Sequence, residues 1–132
     1  MEDYKYIVFQ MATYTDRFPS KVQYVAERDI DLLLLEELNV SPVFSFWLFQ
    51  QTHSESTNAP SCNGAWHSVT HPQFGESDLI VVYENEFAIL MENKIDALAQ
   101  PEQASRYRKR GEMGCRDGLW QRFLTCIVAP EC

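Results

Sequence analysis

Apolar and polar positions fall into blocks along this chain, and the clearest block covers residues 78–94, DLIVVYENEFAILMENK. Two apolar runs, 79–83 and 87–91, flank the polar turn Glu84-Asn85-Glu86. Strand-forming residues on both sides of such a turn predict a tight antiparallel hairpin. With Asn85 at the tip, Asp78 and Glu92 each stand seven residues away and oppose each other across the ladder. Alternation along a strand then puts Glu92 and Lys94 on one face. An Asp, a Glu and a Lys thus converge at the open end of an apolar hairpin. Neighbouring carboxylates repel, and a divalent cation is one remedy that also does chemistry.

The same pattern predicts the other elements. Residues 1–20 are an N-terminal extension with a strand at 6–11, ended before Pro19-Ser20. A helix starting at Lys21 or Ala26 and running to Asn39 carries Leu32, Leu34, Leu35 and Leu38 as most of an apolar stripe. Ser41-Pro42 pairs a helix cap with a proline at the first helical position, so a second helix follows to Gln51. Phe44, Phe46, Trp47, Leu48 and Phe49 make that helix mostly buried. Residues 51–75 are polar and broken by Pro and Gly, which predicts a long loop with a short strand near 66–69. A loop of that length either folds over a substrate or is disordered. After the hairpin comes a helix over 101–112, with Gly111 and Gly114 as terminators, then a core strand over 120–128 closed by Pro130. The order helix, helix, hairpin, helix, strand predicts an α/β domain over residues 1–132, with a mixed central sheet flanked by helices.

Composition narrows the function classes. A chain of 132 residues, 45% of them hydrophobic, has material for a single core. It has no apolar run of about eighteen residues, so no membrane span is expected, and MEDYKYIVFQ lacks a signal-peptide pattern. Cys62, Cys115, Cys126 and Cys132 show neither C-x-x-C spacing nor a disulfide framework, so reduced thiols and a cytoplasmic setting are expected. A net charge of −8 argues against a general nucleic-acid coat protein. Positive charge is local: Arg106, Arg108, Lys109 and Arg110 crowd the helix beside the proposed site. Such a run reads as a DNA-facing patch or as a solvated helix face. His53, Cys62, His67 and His71 include an H-x-x-x-H pair that admits tetrahedral zinc, although the spacing matches no known finger. Neither a phosphate-binding glycine loop nor a nucleophile elbow is present, so acyl transfer has no support.

Asp78 followed by Glu92-Asn93-Lys94 resembles the D…E-x-K core of the PD-(D/E)XK nuclease superfamily. Gln103 and Tyr107, four apart in QPEQASRYRKRG, resemble the Q-x-x-x-Y element of its RecB-like branch, and Glu27 resembles the first-helix glutamate. The phrases ERDIDLLLLEEL and ENKIDA are similar to a bacterial subgroup of largely uncharacterised members. E-x-K alone is weak; four elements in the right order are fairly strong. The resemblance covers roughly residues 27–130, and departs from the superfamily pattern in having no proline before Asp78.

The resemblance implies a restriction-endonuclease-like core and Mg2+- or Mn2+-dependent hydrolysis of DNA. Asp78 and Glu92 would hold the metal, with an Asn93 or Ile95 carbonyl as a third ligand and Glu27 reaching in from the first helix. Lys94 would position or deprotonate the water, and Gln103 and Tyr107 would orient Lys94 or contact a phosphate. The superfamily fold usually continues with a helix beyond the last strand, whereas this sequence stops at Cys132. That leaves open a form truncated after the last core strand, a small member completed by a partner chain, and a minimal version. An exposed edge at residues 120–128 would invite a homodimer or a partner strand.

Each residue also has an ordinary reading. Asp78 caps a strand, and Glu92 with Lys94 makes a strand-end ion pair worth about 0–1 kcal/mol. Tyr107 is a core tyrosine. Asp29, Asp31, Glu36 or Glu37, rather than Glu27, is the inward acid of the first helix. On these readings the chain is a catalytically silent nuclease-fold module that binds nucleic acid or a protein partner.

Overall fold

A computed structural model describes residues 5–9, 27–53, 60–71, 75–94 and 101–130 of the protein. In chain order the elements are β1 (Lys5–Phe9), α1 (Glu27–Val40), α2 (Pro42–Thr52), β2 (Cys62–His71), β3 (Gly75–Tyr83), β4 (Phe87–Asn93), α3 (Pro101–Arg116) and β5 (Arg122–Pro130). Among the described residues the strands form one sheet in the order β1-β5-β4-β3-β2. The β2–β3 and β3–β4 pairs are antiparallel, while β4–β5 and β5–β1 are parallel. The chain is therefore an α/β protein with a mixed sheet and helices on both faces.

The hairpin is centred on Asn85. Leu79 pairs with Met91 and Val82 with Ala88, and Glu86 takes a left-handed φ of 59° as its N–H returns to the Tyr83 carbonyl at 3.0 Å. Every residue of β4 is buried, because both faces of the strand are covered. On one face Leu79, Val81, Tyr83, Ile89, Met91 and Cys126 meet Leu34 and Leu38 of α1 and Leu48 and Phe49 of α2. On the other, Ile80, Ala88 and Leu90 meet Tyr107 of α3 and Trp120.

Ser41 caps α2 by accepting the Phe44 N–H at 3.2 Å, with Pro42 at the first helical position. The buried Tyr83 hydroxyl donates to the Ser45 carbonyl at 2.8 Å and ties α2 to the hairpin. Asn39 binds the edge of β2: its amide donates to the Ala65 carbonyl, and its carbonyl accepts the Ala65 N–H, both at 3.1 Å. A helix side chain thereby supplies the pairing that a neighbouring strand would otherwise make.

Three expectations are corrected. Much of the 51–75 stretch is not loop: residues 62–71 form β2, ten residues long, because Ala65, Trp66 and His67 pair in register with Val81, Ile80 and Leu79. Residues 54–59 and 72–74 lie outside the described residues.

Gly111 and Gly114 do not end α3, which runs on to Arg116. They are close-approach positions. A Cβ at Gly111 would lie 2.1 Å from the Phe123 ring, and one at Gly114 would lie 1.9 Å from Trp120.

The last strand is not an edge. β5 lies between β4 and β1, with Lys5 opposite Cys126 and Ile7 opposite Val128. Parallel pairing with β1 covers that side of β5, so the condition under which residues 120–128 would take a partner strand is not met there.

Candidate functional site

Chemistry-bearing side chains gather at the C-terminal end of β4, and strand alternation divides them between the two faces of the sheet. On the α3 face stand Glu92 and, just past the strand, Lys94. Glu92 is only 5% exposed, and its Oε1 lies 3.0 Å from the Lys94 ammonium. The Lys94 N–H donates to the Val128 carbonyl at 2.9 Å, which fixes the backbone here. A carboxylate and an ammonium are thus held together largely out of water, where charge interactions are stronger than at the surface.

The α1 face carries a network absent from the sequence-derived site. Asn93, 1% exposed, donates from Nδ2 to Oδ1 of Asp31. The other oxygen of Asp31 accepts from His67 Nε2 at 3.2 Å. An ionised carboxylate only accepts, so the His67 proton belongs on Nε2. α1, β4 and β2 are joined through one buried acid.

The expected residues are placed as follows. Glu27 is the first residue of α1, four positions before Asp31, and Gln103 lies in the first turn of α3; both side chains are outside the described residues. Asp78 belongs to β3, one residue before the Leu79–Met91 pair, so continuing the register puts its backbone opposite Glu92. Its side chain is also outside the described residues. Among the described side chains, α1 delivers Asp31 to β4, where it meets Asn93. Tyr107 is buried in the core between α3 and the sheet.

Arg106, Arg108 and Lys109 are exposed, and Arg108 pairs loosely with Glu112 at 3.4 Å. Arg110 departs from the solvated run. It is 4% exposed, its guanidinium carbon is 5.7 Å from the Trp120 ring centre, and its buried Nε and Nη1 make no hydrogen bond. Burial pushes its pKa down, and the nearby Asp117 charge partly opposes that.

Among the described residues the histidine–cysteine set does not assemble. His53 ends α2 and stacks on Phe49 at 4.0 Å, while His67 is engaged with Asp31. Burial raises the pKa of the Cys62 thiol, which works against thiolate ligation. His71 ends β2, and its side chain lies outside the described residues. Among the described residues no three His, Cys, Asp or Glu side chains form a metal-holding group. Glu92 is thus the described carboxylate at the E-x-K position, and further donors would come from Asp78 or Glu27, whose side chains lie outside the described residues.

The Asp31–His67–Asn93 network left two partial signals in the sequence. Asp31 lies one helical turn after Glu27, and His67 falls in a strand-like stretch. What a linear reading lacked was the register of β2 against β3. Comparison of the chain with protein families, with curated proteins and with solved structures finds no match.

Proposed function

We propose that this chain is a metal-dependent nuclease domain with a restriction-endonuclease-like core of the PD-(D/E)XK kind, centred on Glu92 and Lys94 and acting on DNA. The observation that carries this reading is the buried Glu92–Lys94 pair at the end of the hairpin, with Asp78 next in β3 to Leu79, the partner of Met91. Carboxylate oxygens are the donor type that magnesium or manganese prefers. Glu92 and Asp78 would hold the ion, which when bound polarises a phosphodiester and acidifies its bound water.

The remaining work belongs to the chain's own side chains. Lys94 would position the attacking water or steady the charge that develops on the phosphate. Arg106, Arg108 and Lys109, exposed on α3, would attract the backbone. Gln103 and Tyr107 lie on one helical stripe of α3, with Tyr107 buttressing the sheet under the site.

The test is cleavage of supercoiled plasmid and of short single strands with Mg2+, Mn2+ or EDTA, run beside Glu92→Ala and Lys94→Ala. Metal-dependent cutting lost in both variants is the expected result; cutting retained in both would sink the site. One observation favours a second reading, a silent module that binds nucleic acid or protein: Lys94 at 3.0 Å already balances the Glu92 charge without a metal. Calorimetric titration with manganese separates the two, since the silent module has no use for a carboxylate metal site.

A further inference from the structure

Asn93 stands between Glu92 and Lys94, and strand alternation sends its side chain to the opposite face of the sheet. The backbone of this segment is held unevenly. Among the described residues, pairs of β4 with β3 run as far as Leu79–Met91, whereas pairs with β5 run on to Asn93–Val128. Past Met91 the ladder holds the chain from the β5 side, where the Lys94 N–H donates to the Val128 carbonyl at 2.9 Å.

Asp31 supplies a further hold from the α1 face. It lies three and seven positions before Leu34 and Leu38, so the apolar stripe that docks α1 on the sheet also carries this carboxylate to the end of β4. Asp31 is 6% exposed and Asn93 1%, and the Asn93 amide donates to Asp31 Oδ1. A hydrogen bond to a carboxylate is stronger than one between neutral groups, and burial keeps water from competing for it. His67 Nε2 donates to the other oxygen at 3.2 Å, so the carboxylate is oriented from two strands.

Glu92 projects to the α3 face, so Asp31 acts from behind the strand and reaches the proposed site only through the backbone. Any shift or turn of Asn93 moves the residues on either side of it. Reacting groups held about 1 Å out of place lose about 100-fold in rate.

We propose that Asp31 is a positioning residue: by fixing Asn93 from the α1 face, it sets where Glu92 and Lys94 project on the α3 face. Its part in cleavage rests on the nuclease reading, whereas its hold on the pair does not.

The test compares the parent with Asp31→Asn, Asp31→Leu and the double variant Asp31→Leu with Asn93→Leu, in two readouts. One is steady-state cleavage of plasmid with Mg2+, at a temperature where circular dichroism shows each protein folded. The other is amide hydrogen exchange at Lys94, followed by NMR in EDTA and compared with exchange at Leu90 in the middle of β4. Asp31→Leu is expected to lower kcat about 10- to 100-fold, the usual loss when a residue supporting a site's ligands is removed. KM for DNA stays unchanged, and exchange at Lys94 quickens by a larger factor than at Leu90. Asp31→Asn keeps an oxygen for the Asn93 amide, donates its own N–H to His67 in the other tautomer, and retains most of kcat. In the double variant apolar side chains replace both partners, so much of the stability returns. Apolar contact has no direction, and kcat stays low. The double variant also serves should Asp31→Leu fail to fold.

Parent rates of cutting in folded Asp31→Leu, or kcat recovered along with stability in the double variant, overturn the inference and leave the nuclease reading standing. A kcat in Asp31→Asn as low as in Asp31→Leu overturns it too, because the charge rather than the bond then matters. A parent that never cuts, with Lys94 loosened selectively in Asp31→Leu, supports the positioning and removes the nuclease reading. No cutting, with Lys94 and Leu90 quickened alike, overturns both.

Discussion

Asp31 divides its two oxygens between His67 and Asn93, so one side chain holds α1, β2 and the end of β4 together. Asp31→Ala removes the acceptor of the buried Asn93 amide and of the partly buried His67 ring, and a loss of about 1–3 kcal/mol in urea denaturation is expected. At the next residue the pairing is ionic. Lys94→Ala takes the ammonium from a carboxylate that is 5% exposed, and should cost about 3 kcal/mol as well as activity. Glu92→Gln combined with Lys94→Met should recover part of that stability, while cleavage stays lost. A double-mutant cycle reads the coupling directly; additive single losses would show that the pair is not an energetic unit. Glu92 and Lys94 were legible because E-x-K at a strand end has a sequence spacing. Asp31 was only one candidate among several acids of its helix, because nothing in a helix's own sequence says which acid will face a strand 62 residues away.

At the scale of elements, α3 shows how packing overrides local preference. Both glycines lie inside the helix, where alanine would ordinarily stabilise by about 1 kcal/mol. Phe123 and Trp120 occupy the space a Cβ would need, and Trp120 Nε1 donates to the Gly111 carbonyl at 2.9 Å. Gly111→Ala and Gly114→Ala should therefore each destabilise, by about 1–3 kcal/mol, seen as lowered thermal midpoints. A raised midpoint in either variant would mean that the ring moves aside at little cost. The sequence reading used these glycines as stop signals because the ring of a residue beyond the helix end is invisible to a local pattern. In α2 the local signals were sufficient: Ser41 and Pro42 start the helix, and its cap bond is made as expected.

Over the whole molecule, the sheet interior determines how stability responds to alkali. Burial pushes the Cys126 thiol up to about 12 and raises the Tyr83 phenol well above its usual range. Both groups keep their protons in the fold but lose them when unfolded, the thiol from about pH 9 and the phenol from about pH 10. The unfolded chain then binds fewer protons than the native one, so stability falls as pH rises from about 9 to 12. Each group contributes a slope of up to about 1.4 kcal/mol per pH unit. Cys126→Ala should flatten the thiol's part of this slope in urea midpoints taken at pH 8, 9, 10 and 11. An unchanged slope would mean that the thiol ionises in place.

The chain's own pattern determined what depends on neighbours in sequence. The hairpin centred on Asn85, the capped start of α2 and the α/β order of elements all follow from period, turn chemistry and capping, which act over a few residues. Tertiary structure decided what depends on register and on distant surfaces. It made a paired strand of residues 62–71, set β5 between β4 and β1, turned Asp31 toward Asn93, and buried Arg110 away from its basic neighbours. The physical reason is the same in each case: strand pairing and burial are satisfied by whichever partner the fold brings alongside, and that partner lies far away in the sequence.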